Sequence, residues 1–189
     1  MARDAAGGVG GADETVGMSS DKRRHERARC DILLRRLAIT ASFVRPGDDK
    51  GEPDMIYALG NGETLGIEVA TAYYSDADAQ AEWTLVRGAR PSPAGGTEAL
   101  DTKSWPDDLI HDRLQAELID KCGKRYVGAD HIWLCLHEHT ALSNHDSVAD
   151  SVRRLRVPRT HGFEAIYLTY VGSIDESDDI KVFRLFGRA

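Results

Sequence analysis

Apolar and polar positions along this chain change period several times, and each change marks an element. Cys30, Leu33 and Leu37 recur at helical spacing behind Asp21, a residue suited to capping a helix, which predicts a helix from Asp21 to about Leu37. Glu26 stands on the same face as that apolar stripe, seven residues before Leu33, while Lys22, Arg23, Arg27 and Arg29 fall on the outer face. Ala38 to Val44 reads as a first strand, closed by Arg45-Pro46-Gly47. Asp54 to Leu59 and Thr64 to Ala72 read as the two arms of a hairpin around Gly60-Asn61-Gly62. Ile110, Leu114, Leu118 and Cys122 then recur at steps of four, predicting a helix from Asp107 or Asp108 to about Tyr126. Lys121 lies inside that apolar arc and Lys124 about a quarter turn from it. His131 to Leu136 is an apolar strand, Ser143 or Asp146 to Leu155 a short helix, and Ala165 to Val171 and Ile180 to Phe186 two further strands. This order predicts an α/β protein with a mixed central sheet and helices packed on it.

The remaining stretches give the boundaries. Residues 1–19 are rich in Gly, Ala, Asp and Glu and lack periodicity, so they read as a disordered tail ahead of a single domain over 20–189. Pro91, Pro93, Gly95, Gly96 and Pro106 make residues 87–106 a long loop, the kind that is usually functional or disordered. No internal repeat is visible.

Composition narrows the class. With 41% hydrophobic and 29% charged residues over 189 positions, the chain suits one globular domain with a real core. Its three cysteines, Cys30, Cys122 and Cys135, are widely spaced and form no CxxC pair, as expected of buried thiols in a reducing, cytoplasmic setting. No apolar run is long enough for a signal peptide or a membrane span. The net charge of −7 weighs against a large nucleic-acid surface but leaves room for a local basic patch.

The hairpin carries the candidate chemistry. Asp54 opens its first arm, and Glu68 sits between Ile67 and Val69 in the second. Two carboxylates brought together in such surroundings repel one another unless a cation lies between them, and hard cations such as Mg²⁺ take oxygen ligands of this kind. The register decides whether they meet. If Leu59 pairs with Glu63 across a three-residue loop, Asp54 faces Glu68; if Asn61-Gly62 forms a two-residue turn, Asp54 faces Val69 and the two acids point to opposite sides. Turn chemistry alone slightly favours the second arrangement. Asp54 also reads as simple turn chemistry, Glu68 as an outward residue of an edge strand, Glu26 as an ion-pair partner and Lys121 as a snorkelling side chain.

A helix with an inward Glu26, a strand opening with Pro53-Asp54, a hairpin partner carrying Ile67-Glu68-Val69, then a long helix and another strand together resemble the PD-(D/E)xK nuclease superfamily. The resemblance covers about residues 21–137 and implies an αβββαβ restriction-endonuclease-like core, followed here by a further helix and strands. It implies a metal-dependent endonuclease, a hydrolase of DNA or RNA phosphodiesters that uses Mg²⁺ or Mn²⁺. Asp54 and Glu68 would hold the metal with a backbone carbonyl near Val69, and Glu26 would complete the site. The family motif places Lys two residues after the Glu, where this chain has Ala70. Some members carry that Lys on the following helix, which points to Lys121, with Lys124 as the alternative. A homodimer would suit cutting of two strands. The alternative reading is a catalytically inactive nuclease-fold binding or interaction module.

His137-Glu138-His139 puts two imidazoles on one strand face, but no third and fourth ligand at zinc spacing is evident, and the strand end reads as entering a solvated loop. Trp83, Trp105 and Trp133 read as packing residues.

Overall fold

In the computed structural model of the chain, the described residues are 13–48, 50–73, 106–139, 145–171 and 180–187. Helix α1 (Asp13–Arg36) leads into strands β1 (Ala41–Pro46), β2 (Met55–Leu59) and β3 (Thr64–Tyr73). Helix α2 (Pro106–Cys122), strand β4 (His131–His139), helix α3 (His145–Arg154) and strands β5 (Ala165–Val171) and β6 (Ile180–Phe186) follow. The six strands form one sheet in sequence order. β1, β2 and β3 are antiparallel neighbours, β3–β4 and β4–β5 are parallel, and β5–β6 is antiparallel. The molecule is thus a mixed α/β fold, and its first six elements run αβββαβ.

Strand alternation divides the core into two layers. Leu65, Ile67 and Val69 turn to the α1 face, where they pack with Cys30, Leu33 and Leu34 of the helix and with Met55, Tyr57 and Cys135 of the sheet. Ala70 and Ala72 turn the other way and pack with Ile110, Leu114, Leu118 and Cys122 of α2, Val148 of α3, and Leu134, Leu136, Ile166 and Leu168. Both crossover helices therefore share one face, as two successive parallel connections of the same hand require.

Several boundaries differ from the sequence expectation, among them β1, which begins at Ala41 instead of Ala38 and runs on to Pro46. α1 begins at Asp13, inside the stretch read as a tail, and no proline interrupts Asp13–Ser20. α2 stops at Cys122, where Gly123 follows, and leaves Lys124 and Tyr126 beyond its last turn. β4 continues to His139 instead of ending in solvent: His137 is fully buried, Glu138 is 2% exposed, and the His137 imidazole Nδ1 lies 2.9 Å from Thr169 Oγ1 on the neighbouring strand. Residues 87–105 of the expected long loop, with Trp83 and Trp105, lie outside the described residues. Trp133 packs against Tyr167 with ring centroids 5.3 Å apart. All three cysteines are buried thiols.

Candidate metal and phosphodiester site

The β2–β3 loop settles the hairpin register. The Leu59 N–H donates to the Glu63 carbonyl at 2.8 Å, and Gly62 adopts φ 89°, so Gly60-Asn61-Gly62 is a three-residue loop with a left-handed closing residue. From there Met55 pairs with Ile67 and Ile56 with Gly66. Asp54 is thereby carried opposite Glu68. Gly66 is required for this: a Cβ there would lie 2.6 Å from Pro53 Cγ, so the bare backbone lets Pro53 close over β3 and deliver Asp54 to its position. Asp54 Oδ2 accepts the Val69 N–H at 2.8 Å, which locks the carboxylate against β3.

Glu68 is 6% exposed. Its Oε1 accepts a hydrogen bond from Lys121 Nζ at 2.7 Å across the gap between β3 and α2. Ala70 belongs to the apolar layer beneath α2. A lysine at that strand position would put its ammonium into this layer, whereas the last turn of the helix brings one in from the side. Burial would lower the Lys121 pKa, but the charge and hydrogen bond of Glu68, with Asp54 and Glu117, raise it, so the side chain stays cationic. Burial, then the charges of Glu68 and Glu26, push the Asp54 carboxyl up to about 7 despite the Val69 N–H and Lys121.

The other expected site residues divide. Glu26 is 9% exposed, and its pKa is raised by burial and by Glu68 against the opposing charge of Lys22. It therefore borders the cluster, with its Oε1 3.3 Å from Lys22 Nζ. Lys124 does not join: it lies past the end of α2 and binds Asp120 at 2.5 Å on the exposed side of the helix. Val69 meets the site through the N–H that it gives to Asp54. Among the described residues no three His, Cys, Asp or Glu side chains gather as a ready-made metal set. Glu26, paired with Lys22, borders the Asp54–Glu68 pair.

Tyr126 was not foreseen. Its ring packs on Phe163 at 5.2 Å and its hydroxyl is shut off from solvent near Glu68. It is the next step of four after Leu118 and Cys122 in the sequence, but the helix that carries Lys121 ends before it. The long-range tie that places it is the Val127 N–H, which donates at 3.0 Å to the carbonyl of Gly51, just ahead of Asp54.

The donor set suits a hard divalent cation. Mg²⁺ keeps several waters and takes one or two carboxylates, and two repelling carboxylate groups with a cationic neighbour provide that environment. No family model and no curated protein matches the sequence. Among solved structures, SfsA of Pyrococcus furiosus in complex with Ca²⁺ is similar at a TM-score of 0.27 and 12% identity, over 90% of this chain and 65% of that one. A likeness that slight assigns no role to any residue here.

Proposed function

We propose that this protein is a nuclease of restriction-endonuclease-like fold, hydrolysing nucleic-acid phosphodiester bonds with Mg²⁺ or Mn²⁺. The observation that carries the reading is Lys121 Nζ at 2.7 Å from the buried Glu68, with the half-buried Asp54 opposite Glu68 on the hairpin. An ammonium, two carboxylates and a fixed backbone N–H form the set of groups that phosphodiester hydrolysis uses. Asp54 and Glu68 hold the divalent cation, and the Val69 N–H keeps Asp54 in place. Once bound, that cation lowers the pKa of a water and offsets charge on the phosphate. Lys121 orients the water or the scissile phosphate and faces the charge that develops there. Glu26 and Lys22 stand at the rim. The exposed basic residues of α1 supply contacts to flanking phosphates. Cutting of both strands would take two copies of the site, hence a homodimer or two encounters.

The test is cleavage of supercoiled plasmid, single-stranded DNA and RNA with Mg²⁺ or Mn²⁺. Asp54→Asn and Lys121→Met should each lower the rate by about 100-fold or more, Lys121→Met without loss of metal binding. Ala70 in place of the strand lysine favours a second reading, a non-catalytic nucleic-acid-binding module of the same fold. Wild-type protein that binds these substrates and leaves all of them intact would establish it.

A further inference from the structure

A second recess lies at the end of the sheet where β5 begins and β6 ends. It is a cleft of about 760 Å³ lined by Trp133, Glu164, Ala165, Tyr167, Phe186 and Gly187, none of which belongs to the carboxylate site. Its volume falls in the range of pockets that hold small organic ligands, and its walls are largely aromatic. Trp133 and Tyr167 share the layer under α1, with ring centroids 5.3 Å apart. Tyr167 is 4% exposed and so forms the floor that props Trp133; the half-buried Trp133 and the exposed Phe186 are the rings open to a ligand. His161 meets the Phe186 ring edge to face at 4.4 Å and steadies it. Two charged side chains stand beside these rings. Glu164 Oε2 lies 2.8 Å from His131 Nδ1, and Oε1 has no hydrogen-bond partner among the described residues. The exposed Arg184 pairs with Tyr167 across the β5–β6 ladder, its guanidinium carbon 5.8 Å from the tyrosine ring.

We propose that this cleft takes a guanine base from a single-stranded stretch of nucleic acid, resting on the nuclease reading only for the source of that base. Stacking on Trp133 and Phe186 serves any base, because every base has a π-face. The carboxylate of Glu164 selects among them, since it accepts hydrogen bonds and donates none. Guanine sets two donors, N1–H and the 2-amino group, side by side on its pairing edge. Adenine and cytosine set an amino group beside an acceptor nitrogen, and uracil and thymine set one N–H between two carbonyls. Guanine alone can approach Glu164 through two donors without turning an acceptor against it. That edge is engaged in a duplex, so the base must come from an unpaired stretch. Arg184 supplies the cation for the attached phosphate. The cleft adjoins the site already described: Trp133 pairs with Ile67, the residue before Glu68 on β3.

The test is calorimetry on the full chain in chelator with the nucleoside 5′-monophosphates of guanine, adenine, cytosine and uracil. Guanosine monophosphate should bind saturably, about tenfold or more tightly than the others. Glu164→Gln keeps an oxygen for His131 but sets an amide donor toward the base, and it should remove the preference for guanine. Phe186→Ala should weaken all four nucleotides, and Arg184→Ala should bring guanosine monophosphate down to the affinity of guanosine. These three side chains are exposed, so the melting temperatures should stay at the wild-type value. If Phe186→Ala melts lower, Phe186→Leu, which keeps bulk and loses the ring, reads the same contact. Lys121→Met should bind guanosine monophosphate as wild type does, which separates the cleft from the carboxylate site. Equal affinity for the four nucleotides would overturn the proposal. So would no saturable binding at millimolar concentration, or full binding kept by both Glu164→Gln and the Phe186 variants. Selective binding of guanosine monophosphate by a protein that cleaves no substrate would keep the cleft and discard the nuclease; cleavage by a protein that binds the four nucleotides alike would do the reverse.

Discussion

Asp54 sits in a very different environment in the folded and the unfolded chain. Its carboxyl moves from an ordinary value of 3.8 to about 7, driven by burial and then by Glu68 and Glu26. The folded state therefore binds this proton more tightly than the unfolded state does. The stability it contributes is complete below about pH 4 and is lost as the pH rises through about 7. The interval corresponds to ~4 kcal/mol at full effect, an upper figure for a carboxylate that shares its charge with coupled neighbours. In chelator the protein should melt at a lower temperature at pH 8 than at pH 5. Asp54→Asn, which keeps an oxygen for the Val69 N–H, should flatten that slope and melt higher than wild type at pH 8. Millimolar Mg²⁺ or Mn²⁺ should raise the wild-type melting temperature at pH 8 and leave Asp54→Asn unmoved, because the ion binds only the folded carboxylate pair. An Asp54→Asn protein with the wild-type pH slope would remove Asp54 from this role. The approach of Lys121 to Glu68 has a residue-scale cause too: Ala70 is small and buried, so α2 can settle onto β3.

Between elements, the hairpin that presents Asp54 is fastened at its far end by His131. The imidazole Nδ1 lies 2.8 Å from Glu164 ahead of β5, and Nε2 lies 3.0 Å from Glu63 in the β2–β3 turn. Asp130 adds a reciprocal pair with Thr64: its Oδ2 accepts the Thr64 N–H at 2.8 Å and its own N–H donates to Thr64 Oγ1 at 3.0 Å. The two flanking glutamates raise the His131 pKa above 6.5, Glu63 first. This fastening is complete below pH 6.5 and weakens as the pH rises through the raised value. His131→Gln should therefore melt below wild type at pH 6 and approach it at pH 9. A constant offset across that range would show that the imidazole acts here only as a neutral spacer. The fastening fixes register as well, since a slip of one residue in β3 would turn Glu68 to the α1 face and Ile67 to α2.

Across the whole molecule, the order of elements and the last two strands were legible in hydrophobic period alone, with β5 and β6 falling at their expected bounds. Lys121 was legible because a cation inside an apolar arc needs a partner. The hairpin register was not, since Asn61-Gly62 suits a two-residue turn in isolation and only the ladder from Leu59 to Glu63 selects the longer loop. The early start of α1 was hidden by a low-hydrophobicity N-terminal stretch, and Tyr126 by a tie that depends on Gly51 and Val127 meeting in space. Between Asp21 and Arg36 seven Lys and Arg face three Asp and Glu, leaving this stretch at +4, while the rest of the chain carries −11 for a total of −7. The net positive charge of this stretch would favour a polyanion along α1, the helix that also brings Glu26 to the rim of the site. Arg23 and Arg35 are exposed on that helix. In an Asp54→Asn background with metal withheld, binding of labelled DNA or RNA should weaken steeply with salt. Arg23→Ala and Arg35→Ala should each weaken it to a similar degree for every sequence and reduce the salt slope by about one for each phosphate no longer neutralised. Fluorescence anisotropy across a salt series reads both quantities. If both variants keep the wild-type slope, the nucleic acid does not lie along α1, and the basic helix is a solvated face whose arginines pair with their own neighbours, as Arg24 does with Asp21 at 2.9 Å.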